Sequence, residues 1–278
     1  MSAVIEFSGL LPERPSTLWR RYTQVALLLF LPLAIIFART HADLAVAHAL
    51  FFDPSRNHWI GADSWVTNGL IHHGGQWLLR ILAAAALGTW ITTFFRPGMR
   101  ALRRPAGYFA LSLIFSVGTV GLLKLFTNVH CPWDLREFGA DLPYVELFAH
   151  RVAGTAGHCF PAAHASSGYA LFAFYFLFRE RSHWLSRLGL ITGVCMGLIF
   201  GIAQQSRGAH FVSHDLWSAF LVWMISMTIY TTVFKARLWD WNTVPRFSSA
   251  SHPSTRNPQA GARRPPAFSA ALERSTGD

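Results

Sequence analysis

Residues 105–123 read PAGYFALSLIFSVGTVGLL, an uncharged run of 19 residues between Arg104 and Lys124. A helix needs about 20 mostly apolar residues to cross a bilayer, so this run is long enough for one span. Three other uncharged runs have 17 to 19 residues: 22–38, 188–206 and 216–234. Two weaker segments complete a set of six: 75–95 and 165–178. The sequence therefore predicts an all-α integral membrane protein with six transmembrane helices.

The composition supports a membrane protein over a soluble one. Of the 278 residues, 52% are hydrophobic and only 14% are charged, whereas soluble domains carry about 25% charged residues. Six apolar runs with basic residues between them disfavour a large soluble helical protein. The first apolar run lacks a small-residue cleavage site, so we expect the first helix to remain in the mature protein.

The formal net charge of +10 reflects membrane topology rather than nucleic-acid binding, because the basic residues are unevenly placed. With Arg80 and Lys124 left out as helix residues, 17 Lys and Arg lie on the side of the N-terminus and 5 on the other. The positive-inside rule then puts both termini in the cytoplasm. We expect a multi-pass protein of the bacterial inner (cytoplasmic) membrane.

Three regions follow from this topology. Residues 1–21 form a cytoplasmic N-terminal segment, 22–238 the membrane domain, and 239–278 a basic cytoplasmic tail. The tail is rich in Ser, Pro, Arg and Ala without apolar periodicity, so it is predicted to be disordered. Nearly all histidines and acids suited to chemistry fall in loops on the non-cytoplasmic side.

Three outer segments combine histidine with basic or small residues: KLFTNVHCPWDL (124–135), GHCFPAAHASSG (157–168) and SRGAHFVSHDLW (206–217). Lys124 and Arg207 are the usual kind of phosphate anchor. Backbone N–H groups at Ala162 and Ala163, where a helix begins, attract anions. His164 and His210 can serve as acid and nucleophile.

The sequence contains neither a cluster of acids for a two-metal site nor a G-x-S-x-G nucleophile motif. These residue types favour phosphoryl transfer through a phosphohistidine, without a metal or cofactor.

In order and spacing, the three segments resemble the signatures K-x6-R-P, P-S-G-H and S-R-x5-H-x3-D of the type 2 phosphatidic acid phosphatase superfamily of membrane lipid phosphatases. The resemblance spans residues 22–235 and implies the family's six-helix bundle with its active site at the non-cytoplasmic face. It also implies a membrane lipid substrate: undecaprenyl pyrophosphate, a lipid A phosphate or a glycerolipid phosphate. The choice among these, hydrolysis versus transfer, and the oligomeric state stay open.

The first motif is altered. Lys124 matches the family's lysine, but Cys131 stands where the family has a phosphate-binding arginine. His130 or Arg136 could compensate, and Asp134 could orient a cation of the motif.

The second motif reads Pro161-Ala162-Ala163-His164. Alanine replaces the family's Ser and Gly, which keeps the backbone donors and removes a hydroxyl. The resemblance makes His164 the general acid that protonates the leaving oxygen.

The third motif allows two registers. Aligning Gly208-Ala209-His210 with the family's Gly-x-His makes His210 the nucleophile, with a near-ordinary imidazole pKa. In that register Gln204 holds the arginine slot and Arg207 comes three residues later. His214 holds the aspartate slot, and Asp215 comes one residue late. Since residues i and i+4 share a helix face, His214 is better placed than Asp215 to hydrogen-bond His210. A second register makes His214 the nucleophile.

Cys131 and Cys159 both fall on the oxidising side of the membrane, where disulfides persist. We expect them to pair and to tie the first motif loop to the second.

Two other functions stay open on the sequence alone. Because motif residues are missing, the chain could be an inactive protein of the same fold that binds a lipid headgroup. The other is a haem-binding membrane protein, a hypothesis based on the thirteen histidines. However, no histidine lies in the middle of a predicted span, where pairs of axial haem ligands are needed.

Overall fold

The structure, a computed structural model, describes residues 14–147, 149 and 157–239. Most of the 1–21 segment and nearly all of the 239–278 tail therefore lie outside the described residues. The described part contains these α-helices: α1 (Pro15–Arg39), α2 (Ala42–Leu50), α3 (Gly75–Phe95), α4 (Arg103–Thr127), α5 (Ala163–Tyr169), α6 (Ala173–Arg179), α7 (His183–Ser206) and α8 (Val212–Thr228). It also contains two short strands, β1 (Phe52–Asp53) and β2 (His58–Trp59).

Several helices are extended by turns of other helical types. A π-helix, Val66–Gly74, runs directly into α3, and a second, Ile229–Val233, continues α8. A 3₁₀ segment, Pro97–Leu102, precedes α4, and another, Ala170–Phe172, joins α5 to α6. The last of these makes residues 163–179 one nearly continuous helix.

The membrane-spanning helices confirm the predicted architecture. Five helical stretches of the described chain are long and apolar enough to cross a bilayer: Pro15–Arg39, Val66–Phe95, Pro97–Thr127, His183–Ser206 and Val212–Val233. The composite helix over 163–179 supplies the sixth. The fold is an all-α multi-pass membrane bundle, and several spans extend beyond the uncharged runs that predicted them.

The outward faces of these helices are apolar. In α1 only Leu18 and Phe30 are buried, while Leu28 and Leu29 are 74% and 69% exposed. Such faces are unfavourable in water but suit a bilayer, where exposed apolar side chains meet lipid tails.

The composite helix lies at the centre of the bundle, packed against α7. Glycines of α7 at every fourth position, 189, 193, 197 and 201, form a stripe of small residues. A Cβ on Gly168 of α5 would come within 2.6 Å of the Met196 backbone of α7. Only residues without a side chain allow this approach, as in other membrane helix pairs.

A small aromatic core lies on the side of α2 and the two strands. Phe52 pairs with Trp59 in the antiparallel β1–β2 ladder, and both pack with Phe138 and Phe211. Because Phe211 immediately precedes α8, this core fixes the position of the α7–α8 turn.

Candidate active site

The α7–α8 turn is shaped by the end of α7. Arg207 caps the helix, and Gly208 follows with φ of +73°, a conformation that favours glycine. The Gly208 N–H donates to the Gln205 carbonyl and the Ala209 N–H to the Gln204 carbonyl, each at 2.9 Å. This pair of bonds is the Schellman motif, which ends a helix sharply, and it puts His210 in the turn.

The start of α8 is held by a residue from outside the three motifs. Asp43 of α2 is only 5% exposed. One of its carboxylate oxygens accepts the Ser213 N–H at 3.0 Å, and the other accepts the Ser213 hydroxyl at 2.5 Å. A carboxylate at a helix N-terminus satisfies a free backbone donor and interacts favourably with the helix dipole. Asp43 therefore fixes the segment between His210 and His214.

The rings of His210 and His214 lie side by side in a T-shaped arrangement, with their Nδ1 atoms 3.4 Å apart. His210 does not lie on α8, as the shared-face argument assumed, because that helix begins at Val212. The Schellman turn and the Asp43 cap bring the two rings together instead. Both residues are buried, at 6% and 2% exposure.

Burial lowers the pKa of His210 well below its ordinary value of 6.5. Repulsion from His214 and Lys124 adds to this effect, and a hydrogen bond with the Cys159 backbone opposes it. The near-ordinary pKa expected from the sequence is therefore wrong. His210 is held as a neutral imidazole, the form that can act as a nucleophile.

Asp215 points away from this pair. Its Oδ2 accepts a hydrogen bond from Gln205 Nε2 at 2.5 Å, and its carboxylate lies where a Cβ of Gly201 would be. The structure thus packs Asp215 against α7 and leaves His214 as the partner of His210.

His164 lies in the first turn of α5, and its ring stacks on Phe200 with ring centroids 4.7 Å apart. Its Nε2 lies 3.3 Å from the Ile71 carbonyl, which can only accept, so Nε2 carries the hydrogen. His164 Nδ1 is buried and has no hydrogen-bond partner among the described residues. This nitrogen is therefore available for proton transfer.

Gln204 links two site groups. Its Oε1 accepts from Arg207 Nη1 at 3.1 Å, and its Nε2 lies 2.9 Å from Nδ1 of His72. The His72 ring lies 4.7 Å from the His164 ring between centroids. Arg207 interacts electrostatically with both histidines, and burial lowers its pKa. Arg207 is thus directed toward the His164 side of the site.

The first motif loop is anchored to the other two. Cys131 and Cys159 form a disulfide with Cα atoms 5.1 Å apart. The Trp133 N–H donates to the Gly208 carbonyl at 2.9 Å. These links hold the loop after Lys124 beside the His210 turn.

The two candidates for the missing arginine lie in different places. Arg136 is exposed, and its Nε donates to the Asp141 carbonyl at 2.7 Å within its own loop, so it is not brought to the His210 pair. His130 lines a small cavity of about 20 Å³ with Asp43 and His214. Asp134 Oδ2 accepts the Cys131 N–H at 3.3 Å and so stabilises the loop.

The backbone donors of the second motif differ from each other. The Ala162 N–H is directed at the His214 carbonyl, 3.4 Å away, which leaves Ala163 as the better placed of the two. Ala162 is completely buried. Its carbonyl and that of His214 both accept from the Ser218 hydroxyl, at 3.1 and 2.9 Å.

An apolar cavity of about 390 Å³ opens beside His164 between α3, α4 and α5. Its walls include Leu79, Leu113 and Val117, with the polar Arg80 and Ser167. The cavity therefore joins a histidine to a largely apolar space at membrane depth. Among the described residues, no three His, Cys, Asp or Glu side chains converge as metal ligands.

Two residues of this site were missed by sequence reasoning. Neither His72 nor Asp43 was among the predicted site residues. A signal existed for Asp43, the single acid of the mostly apolar helix ADLAVAHAL (42–50). His72 had none, because its importance depends on contacts with residues 92 and 132 positions away.

The fold and the cluster of buried histidines define a multi-pass membrane protein with a site suited to phosphate chemistry. Residues 105–238 match the family model described as PAP2 superfamily, and this range contains all three motif segments. The match confirms the resemblance drawn from the motifs: this region belongs to the PAP2 superfamily. The match supports a membrane lipid phosphatase in general terms.

One similar solved structure is the crystal structure of the first transmembrane PAP2 type phosphatidylglycerolphosphate phosphatase from Bacillus subtilis. The similarity covers 81% of this chain and 98% of that protein, with 18% sequence identity and a TM-score of 0.46. No curated protein sequence matches the chain.

Proposed function

We propose that this protein releases or transfers phosphate from a membrane lipid phosphate or pyrophosphate through a phosphohistidine on His210, without a metal ion. The observation that carries the proposal is the buried pair of His210 and His214, whose Nδ1 atoms are 3.4 Å apart. We place the single ring hydrogen of His210 on Nδ1, where His214 Nδ1 and the Cys159 backbone share it as acceptors, so Nε2 keeps its lone pair. His214 then holds the nucleophile in the correct tautomer, the role of the family's aspartate.

The chemical step follows from these positions. His210 Nε2 attacks phosphorus, and an N–P bond forms as the bond to the leaving oxygen breaks. Lys124, Arg207 and the backbone at Ala163 stabilise the charge on the equatorial oxygens. His164 must enter this step as an imidazolium with a hydrogen on each ring nitrogen. Its Nδ1–H then protonates the leaving oxygen, while Nε2–H stays on the Ile71 carbonyl.

The second step reverses the role of His164. Its Nδ1, now deprotonated, takes a proton from water or from an acceptor hydroxyl, which attacks the phosphohistidine. The N–P bond breaks, and phosphate leaves or passes to the acceptor. The general acid and the general base are thus the same nitrogen in successive steps.

The cavity beside His164 supports a lipid substrate. Its largely apolar walls between α3 and α4 suit an acyl or prenyl chain, with the headgroup at the histidines. The charge asymmetry of the loops supports a site on the periplasmic side of a bacterial inner membrane, with cytoplasmic termini. Residues 22–238 would then form the membrane domain, between the 1–21 segment and the 239–278 tail.

A binding protein without turnover is the second candidate. The observation that favours it is the loss of both family arginines, at Cys131 and Gln204. It predicts retention of a lipid headgroup without release of phosphate.

The test is phosphate release by detergent-purified protein in EDTA. The panel comprises undecaprenyl pyrophosphate, lipid A and phosphatidic acid. Wild type is compared with His164→Ala, His210→Ala and His214→Ala. We expect EDTA-resistant release that His164→Ala and His210→Ala abolish and His214→Ala only reduces. Loss of activity in His214→Ala alone would instead assign the nucleophile to His214. Binding of these lipids without release would support the second candidate.

A further inference from the structure

Gln204 stands at the position of the arginine in the family's third motif. It contacts two side chains, Arg207 and His72, that can take over the phosphate contact of that arginine. Its amide oxygen accepts from the Arg207 guanidinium at 3.1 Å, and its amide nitrogen lies 2.9 Å from His72 Nδ1. Gln204 is only 3% exposed, so its orientation is set by these partners rather than by water.

The protonation of His72 follows from this arrangement. A guanidinium can only donate, so the oxygen of the Gln204 amide must face Arg207. The amide nitrogen, which can only donate, must then face His72, and Nδ1 of His72 must be the acceptor. A neutral imidazole carries one hydrogen. His72 is therefore a neutral ring with its hydrogen on Nε2.

His72 also lies beside the proposed proton donor. Its ring centroid is 4.7 Å from that of His164, while the other charged or titratable groups that interact with it are Arg207 and His73. A second imidazolium next to a protonated His164 would be repelled. The bond from Gln204 avoids this repulsion and still leaves an N–H donor at this position.

The backbone that presents His72 is unusual and well anchored. His72 lies in the π-helix Val66–Gly74, a rare form that is frequently found at functional sites. Thr67 Oγ1 donates to the Gly61 carbonyl at 2.6 Å, and the Gly61 N–H donates to the Ser206 carbonyl at 2.8 Å. These bonds tie the π-helix to the end of α7, where Gln204 and Arg207 lie.

We propose that His72 is a further phosphate-binding residue, which donates its Nε2–H to a substrate oxygen beside His164 while Gln204 holds its tautomer. With Arg207, it replaces the arginine that the third motif lacks. The proposal rests on the proposed function for the identity of the ligand as a phosphate. The tautomer of His72 does not depend on that function and is measurable without turnover.

The first experiment is ¹⁵N NMR of the histidine side chains of the full chain in detergent at pH 7.5, assigned with His72→Gln. We expect the signal of the neutral Nε2–H tautomer for His72. Gln204→Glu supplies only acceptors, so it should place a hydrogen on His72 Nδ1 and remove the signal of a neutral Nε2–H ring with an unprotonated Nδ1. A Nδ1–H tautomer or an imidazolium in wild type overturns the proposal.

The second experiment uses two amides that mimic different ring nitrogens. In His72→Gln the side-chain NH₂ reaches the position of Nε2, whereas in His72→Asn the amide reaches only the position of Nδ1. A lost hydrogen bond to a charged group corresponds to about a 10- to 100-fold loss. We expect this loss in His72→Asn for both kcat/KM and orthovanadate affinity, with His72→Gln within about threefold of wild type. His73→Asn, at the exposed neighbouring position, is the control and should be unchanged.

The outcomes separate the two claims. Equal losses in His72→Gln and His72→Asn, or no loss of orthovanadate affinity in either, overturn a donor role for His72. Orthovanadate affinity could follow the expected order across wild type and the variants while wild type releases no phosphate from any lipid. In that case the proposed function fails and the phosphate-binding role of His72 stands.

Discussion

Asp43→Asn should change the pH dependence of stability, because burial raises the pKa of Asp43 from its ordinary value of 3.8 to about 6. The hydrogen bonds from Ser213 oppose this rise but are smaller in effect. The folded protein therefore binds the proton more tightly than the unfolded chain does. The contribution of this acid to stability is largest below about pH 4, declines as the pH rises to about 6, and is constant above.

The magnitude follows from the two pKa values. Their difference corresponds to about 3 kcal/mol at 1.36 kcal/mol for each tenfold change in proton affinity. Asparagine keeps the shape and does not titrate. At pH 4 the unfolded acid is already partly ionised, so between pH 4 and pH 8 the free energy of unfolding of Asp43→Asn should rise by about 2.5 kcal/mol relative to wild type. At pH 4 the two proteins should be close in stability, because a protonated Asp43 and an asparagine each offer Ser213 one acceptor oxygen and one donor.

The assay is reversible unfolding in mixed micelles of detergent and SDS at both pH values, with the difference between variant and wild type taken at each. Asp53→Asn is the control. Hydrogen bonds from Ser55 lower the pKa of Asp53, so its pH dependence should have the opposite sign. A difference between Asp43→Asn and wild type that stays constant from pH 4 to pH 8 would refute the burial of Asp43 against α8.

Three further predictions follow from the site. Because burial depresses the pKa of His210, kcat/KM of an active preparation should keep its plateau below pH 6; an acid limb centred near pH 6.5 and assigned to His210 would argue against that burial. Breaking the disulfide, which joins cysteines 28 positions apart, should lower the free energy of unfolding by about 3–4 kcal/mol; labelling of both thiols by alkylation without reductant would show that the bond is absent. Gly201→Ala would press a methyl group into the Asp215 carboxylate and should destabilise by about 1–3 kcal/mol, whereas Gly88→Ala, with open space around it, should not; equal stability of the two variants would contradict the packing.

Most of the architecture could be predicted because membrane helices are encoded locally. An uncharged run such as 105–123 must be helical in lipid, where every backbone polar group needs an internal partner. The composite helix over 163–179 had the weakest sequence signal for a membrane span, since its apolar run is short. Its burial depends on the glycines of α7, a pattern that was present in the sequence at every fourth residue.

The site could be predicted only where its residues are close in sequence. His210 and His214 are four residues apart and were predicted to pair, although the Schellman turn and the Asp43 cap bring the rings together rather than a shared face of α8. Asp43 and His72 reach the site through tertiary contacts, from α2 and from the π-helix before α3. No sequence period encodes such contacts. The pKa of His210 was missed for a related reason, because desolvation depends on what the fold packs around a residue.

The most direct test of the central claim is to trap the phosphorylated enzyme. Protein in EDTA is mixed rapidly with a ³²P-labelled lipid phosphate or pyrophosphate that it turns over, quenched in alkali, digested and sequenced by mass spectrometry. The account predicts an acid-labile, alkali-stable phosphate on His210 that disappears in His210→Ala and persists in His214→Ala. Label on His214, or turnover with no phosphohistidine at any time point, would contradict it.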